Sequence, residues 1–207
     1  MLNLIVALPA EARPLLSLFN LHQQQAPEPF RLYVGERTRL LLSGVGKKAA
    51  IAAVEYLQIT FPETATWLNL GIAGHAHLPV GTPLLANRIT DAETGQTWEP
   101  SFFFDPPCTT SELITVDQPE DRYPEPCAYD MEASGFFQAA RNYAPADRVH
   151  CLKVVSDTPE TPHRHISGKM IGELITDHLN LTDELIIRLD CLTTLPADID
   201  RDDRKTR

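Results

Sequence analysis

Two carboxylates stand where apolar runs end: Glu11 in Ala7-Leu8-Pro9-Ala10-Glu11, and Asp157 in Val155-Ser156-Asp157. Two glycine-bearing stretches, Ser43-Gly44-Val45-Gly46-Lys47 and Gly71-Ile72-Ala73-Gly74, follow similar runs. Enclosed carboxylates are suited to proton transfer, and glycine lets the backbone approach a ligand closely. In open α/β sheets the ligand lies outside the carboxyl ends of the strands, so these four turns are where a site would be assembled. Each of them alone is equally an ordinary strand-to-helix turn. SGVGKK is neither the phosphate loop G-x-x-x-x-G-K-[ST] nor the dinucleotide fingerprint G-x-G-x-x-G, so nucleoside triphosphates and NAD are not indicated.

For such turns to converge, the runs before them must be strands of one sheet. Periodicity predicts strands over residues 2–8, 31–35, 39–43, 67–70, 82–90, 113–116 and 149–155. Several are continuous apolar runs, as in strands buried on both faces. Helices are predicted over 11–19, 47–58, 132–143 and 167–192, the last broken near Asn180. No repeat interrupts this alternation, which is an α/β pattern. Residues 92–127 are proline-rich and loop-like, and carry Phe102-Phe103-Phe104. Three adjacent aromatics suit an apolar pocket, a subunit contact or the edge of a core.

The chain of 207 residues reads as one domain over 1–195 followed by an exposed charged tail over 196–207. Its 18 Lys+Arg against 28 Asp+Glu leave a net charge of −10, the wrong sign for holding nucleic acid through phosphate contacts. Cys108, Cys127, Cys151 and Cys191 form no Cys-x-x-Cys pair and read as reduced thiols. No stretch approaches the roughly 20 apolar residues that span a bilayer. No membrane partner and a cytoplasmic setting are therefore expected.

Taken in chain order, the four turns together with Tyr129-Asp130-Met131-Glu132-Ala133 resemble the nucleoside phosphorylase/nucleosidase superfamily. Within it they look most like the 5′-methylthioadenosine/S-adenosylhomocysteine nucleosidase branch. The resemblance spans roughly residues 2–192 and rests on five ordered motifs: LPAEARPLL, SGVGKKAA, NLGIAGHAHLPVGT, YDMEASGFF and KVVSDTPE. It implies an α/β fold of three αβα layers around a central mixed, partly barrel-like sheet, and a homodimer or higher homo-oligomer. It implies a small purine nucleoside or adenosyl compound as substrate, and neither a metal nor an organic cofactor.

The resemblance also implies roles. Glu11 matches the family acid that activates the attacking water as general base; its plainer alternative is a first-turn helix residue favoured by the macrodipole. Asp157 matches the aspartate that protonates N7 of a departing purine, with Ser156 orienting it. Met131 and Glu132 match the pair that packs against the ribose and accepts from its hydroxyls. An ionised carboxylate can accept from both hydroxyls of a diol, and a thioether supplies an adaptable apolar wall. Their plainer alternative is a buried Met and a capping Glu. Val45, Ile72, Ala73 and Gly74 from the glycine turns, and Lys153 where nucleosidases usually carry arginine, complete the expected substrate-binding set.

Phosphorylases of the superfamily place an arginine just before the second glycine turn and a serine within it. Here those positions are Asn69 and Ile72, and isoleucine cannot hold phosphate. Hydrolysis of the N-glycosidic bond is therefore expected. Arg13 keeps phosphorolysis with inorganic phosphate as the alternative, and a nucleoside-binding module with a degenerate site is another. That last alternative draws on departures from the pattern: Ile72 also replaces a serine near the water, Pro119 stands for the base-stacking phenylalanine, and the segment between Ala92 and Cys127 is short. Any stacking surface would then come from Phe102 to Phe104. ITDAETG is loosely reminiscent of hopanoid-associated nucleosidases, and futalosine hydrolases are also altered members. The pair in His163-Arg164-His165 lacks a third metal ligand and reads as solvated loop, as do His75 and His77.

Overall fold

A computed structural model describes residues 1–194, with side chains through Leu189. The tail expected over 196–207 and the Cys191 side chain lie outside the described residues. The chain begins with β1 (Leu2–Val6), α1 (Pro9–Leu18), β2 (His22–Gln24), β3 (Arg31–Val34), β4 (Thr38–Leu42) and α2 (Lys47–Thr60). There follow β5 (Thr66–His75), β6 (Pro83–Asp91), β7 (Thr97–Trp98), β8 (Thr109–Thr115), β9 (Ala128–Asp130) and α3 (Ala133–Ala140). Last come β10 (Val149–Asp157), α4 (Gly168–Thr176) and α5 (Leu179–Thr194).

These strands form one mixed sheet. Its open half runs β2, β3, β4, β1, β5; beyond β5 it closes through β9, β8, β6 and β10, which pairs back to β5. Closure removes the free edges of that five-stranded half. The strands β4, β1, β5 and β10 run parallel, so their carboxyl ends lie on the same side.

Alternating side chains supply two cores, one on each face. In β1, Ile5 joins a core with Ala50, Val54 and Leu57 of α2 and Phe136 and Phe137 of α3. Its neighbours Leu4 and Val6 join the other, with Leu15 of α1, Ile175 of α4 and Leu185 of α5. Strand β10 divides in the same way, Cys151 and Val155 to the first core and Leu152 and Val154 to the second. Because both faces are covered, strands read as unbroken apolar runs.

The structure differs from the sequence expectation in instructive places. Gly71-Ile72-Ala73-Gly74 is not a turn: β5 continues through it to His75, pairing Gly71 with Lys153 and Gly74 with both Asp157 and Tyr129. Ser156 and Asp157 likewise belong to β10. The glycines sit where a β-carbon would strike a neighbour, which is a tertiary reason invisible to turn propensities. Strands β2, β7 and β9 are too short to leave a periodic signal. The C-terminal helix breaks between Thr176 and Leu179, where His178 Nε2 meets the Gly81 carbonyl at 2.7 Å.

Phe102 and Phe104 plug the edge of the second core. They enclose His150 of β10, Phe102 stacked on the imidazole at 5.4 Å and Phe104 edge-on at 5.6 Å. Phe103 is half exposed. Burial lowers the pKa of His150 to about 4. A histidine that charges at about 6.5 when unfolded but at about 4 when folded withdraws stability as pH falls across that window. Other groups titrate there too, so the expected outcome is a difference. By urea denaturation, wild type should lose up to about 3 kcal/mol more than His150→Leu between pH 6.5 and 4.

Candidate active site

A cavity of about 260 Å³ opens at the carboxyl ends of the parallel strands. Ala7, Leu8 and Glu11 reach it from the β1–α1 connection, Val45 from the turn before α2, and Ile72, Ala73 and Gly74 from β5. Tyr129, Asp130, Met131 and Glu132 enter at the β9–α3 junction, Ser156 and Asp157 at the end of β10. The expected site residues thus converge from five chain segments. Lys153 is the exception, lying beneath the cavity rather than in its wall.

Glu11 is held by backbone donors. Its Oε2 accepts from the Leu8 N–H at 2.8 Å and its Oε1 from the Ile72 N–H at 2.9 Å. Pro9 at the helix start cannot donate, and its fixed φ suits a first turn. At Gly71 a β-carbon would lie 2.8 Å from Glu11 Oε1, so the close approach of β5 requires glycine there. Glu11 is only 2% exposed. Burial raises its pKa above the ordinary carboxylate range, against the opposing pull of Lys153 and the backbone N–H groups.

Glu132 precedes α3, and its Oε1 accepts from the Gly46 N–H at 2.8 Å. Gly46 has φ 103°, a conformation that favours glycine and aims this N–H at the carboxylate. Burial pushes the Glu132 pKa up to about 7, Lys153 opposes this, and the neighbouring Asp130 adds to it. Lys153 itself is 1% exposed, with Nζ 2.8 Å from Asp130 Oδ2. Burial would discharge the ammonium, but Asp130 and Glu132 outweigh it and hold its pKa above the usual lysine range. Asp130 also accepts from the Ala133 N–H and the Thr115 hydroxyl, at 2.9 and 2.8 Å.

Asp157 lies across the cavity. The Ser156 hydroxyl donates to its Oδ1 and the Tyr123 phenol to its Oδ2. Tyr123, with Val116, Pro119 and Glu120, forms a wall from the segment between β8 and β9. His163, Ile166 and Ile171 complete the lining. Sequence reasoning placed only Pro119 near the base and missed the rest of both stretches, because such connections carry no periodic signal. A lone tyrosine in the proline-rich stretch was the available hint.

Other expectations need correction. The cavity aromatics are Tyr123 and Tyr129, not Phe102 to Phe104. Asn69 faces the interior, donating to the Ile5 carbonyl at 3.1 Å, and Arg13 lines an outer groove between α1 and α4. His75 is a buried residue of β5, its Nδ1 accepting from the His77 and Leu78 N–H groups at 3.0 Å. His163 is paired with Asp121, Nδ1 to Oδ1 at 2.9 Å. Among the described residues, no group of three or more His, Cys, Asp or Glu side chains is placed to hold a metal. No helix among them is long and apolar enough to cross a membrane.

No family model and no curated protein matches the sequence. The structure does match solved ones. The 5′-methylthioadenosine nucleosidase of Arabidopsis thaliana aligns with a TM-score of 0.76 at 16% identity, covering 91% of this chain and 95% of that one. Futalosine hydrolase of Helicobacter pylori aligns at 0.72 and 14%, over 90% and 97%. The 5′-methylthioadenosine/S-adenosylhomocysteine nucleosidase of S. pneumoniae, solved with a transition-state inhibitor, aligns at 0.68 and 19%, over 91% and 97%. The chain therefore shares the fold of these solved enzymes.

Removing the buried cation tests the electrostatic frame. Lys153→Met leaves Asp130 and its neighbours without their counter-charge, and should cost about 3–5 kcal/mol in urea denaturation at pH 8. The deficit should shrink as the pH is lowered and the carboxyls take up protons.

Proposed function

We propose that the protein hydrolyses the N-glycosidic bond of a purine nucleoside or adenosyl conjugate and releases the free base. The observation that carries this is one small cavity lined by four buried carboxyl residues, Glu11, Asp130, Glu132 and Asp157, with no Lys or Arg among the described residues of its wall. A phosphate ion in that cavity would meet carboxylates and no lining cation. Water, being neutral, carries no such electrostatic penalty. This favours hydrolysis over phosphorolysis.

In the proposed reaction Glu11 takes a proton from water as its oxygen bonds to C1′. The C1′–N9 bond breaks with its electron pair passing to the base, and Asp157 delivers a proton to N7. The transition state is oxocarbenium-like, so placing the nucleophile and neutralising the leaving base are its two needs. Glu132 accepts from the ribose hydroxyls, and Met131 packs against the sugar. A cytoplasmic homo-oligomer remains part of this reading, and the free thiols of Cys108, Cys127 and Cys151 support a reducing compartment.

The test is chromatographic detection of free base from a panel of purine nucleosides and adenosyl compounds, with and without inorganic phosphate. Phosphate-independent release is expected; strict dependence on phosphate would make the enzyme a phosphorylase, and binding without release would make it a binding module. Glu11→Gln and Asp157→Asn should each lower kcat by about 10² or more while leaving the unfolding transition cooperative.

The pH profile is a further check. Glu11 as base and Glu132 as acceptor act in their ionised forms, and both take up protons above the ordinary carboxylate range. The value of kcat/KM should therefore fall as pH is lowered through about 7. A flat profile down to pH 5 would remove both from these roles.

A further inference from the structure

Both oxygens of Asp157 are taken, Oδ1 by Ser156 and Oδ2 by Tyr123. Ser156 is the adjacent residue on β10, whereas Tyr123 arrives from 34 positions away in sequence. A purine that is to receive a proton from Asp157 needs one of these oxygens protonated and turned to the base, so a donor must leave that oxygen and Asp157 must take up a proton from solvent as it does.

Three features indicate that the phenol contact is built into the fold. Tyr123 is 6% exposed and has a φ of 47°, a backbone conformation uncommon for a bulky side chain. Its ring packs edge-on against Tyr129 at 5.5 Å, and the Tyr129 phenol oxygen accepts from the Glu125 N–H at 2.9 Å, bracing the short loop. Opposite, a β-carbon on Gly74 would collide with the Tyr123 phenol and lie 2.8 Å from Asp157 Oδ2, so β5 omits a side chain where the two meet. At the cavity wall the same loop is fastened by Asp121 to His163.

We propose that Tyr123 is a positioning residue for Asp157 that competes with the substrate: the purine enters by displacing the phenol from Oδ2. This rests on Asp157 being the group that meets the leaving base. Burial and the adjoining Asp157 carboxylate raise the Tyr123 pKa, so the phenol keeps the proton it donates. The same hydroxyl that orders Asp157 thereby lowers the affinity for base. Hydrogen bonds to charged acceptors are among the stronger ones, so giving this one up should weaken purine binding by about tenfold or more.

The test uses the full chain as wild type, Tyr123→Phe and Tyr123→Ala. Adenine binding is measured by calorimetry, and base release on the nucleoside the panel identifies. Removal of the hydroxyl should lower the adenine Kd and the substrate KM by about tenfold, with KM changing more than kcat. A merely structural tyrosine would give the opposite, weaker binding and lower kcat together. Equal adenine Kd in wild type and Tyr123→Phe would overturn the competition, while base release by wild type left the nucleosidase reading standing. Tighter adenine in both variants without base release from any protein would keep the competition and remove the hydrolase. No adenine binding by any of the three proteins, with no base release, would overturn both.

Discussion

A single buried ammonium, that of Lys153, makes the site possible. Glu11, Asp130 and Glu132 are all withdrawn from water within its field, and carboxylates so placed are costly without a counter-charge. Lys153 bonds directly only to Asp130, which is also satisfied by Thr115 and the start of α3. One cation cannot fully compensate three carboxyls. The shortfall falls on Glu11 and Glu132, whose pKa values rise. A group suited to taking a proton near neutrality is thus the consequence of incomplete compensation.

That frame depends on strand register. Parallel pairing sets Ile5 beside Asn69, and Asn69 beside Cys151, so the ends of β1, β5 and β10 align. Lys153 then lies opposite Gly71, the residue whose missing side chain admits Glu11. Three strands and two absent β-carbons bring the carboxyl groups to one mouth. Closure through β6, β8 and β9 adds Asp130, Met131 and Glu132, and leads the chain past Tyr123 on the way. A shift of one residue would turn each of these side chains to the other face.

Local signals are enough for part of this. Unbroken apolar runs mark the long strands because both faces of the sheet are covered, and Ala- and Leu-rich stretches mark the helices. The resemblance carried by the ordered motifs implies that Glu11, Met131, Glu132, Ser156 and Asp157 belong together, and all five line the same cavity. The glycines of β5 read as a turn because their reason lies in side chains distant in sequence, Glu11 for Gly71, Tyr123 and Asp157 for Gly74. Phe102 and Phe104 read alike as pocket, subunit-contact or core-edge aromatics because composition cannot say which face of a sheet a loop will cover.

The sequence by itself therefore determined the α/β alternation, the strand ends that carry chemistry and the residue types present there, since each is a property of short stretches. Only the tertiary structure decided that Lys153 lies beneath the cavity and that no Lys or Arg among the described residues lines its wall. It also decided that the aromatic facing Asp157 is Tyr123. Those outcomes depend on closing the sheet and on register across residues far apart in the chain, and burial, which sets both charge and access, exists only once that closure has occurred.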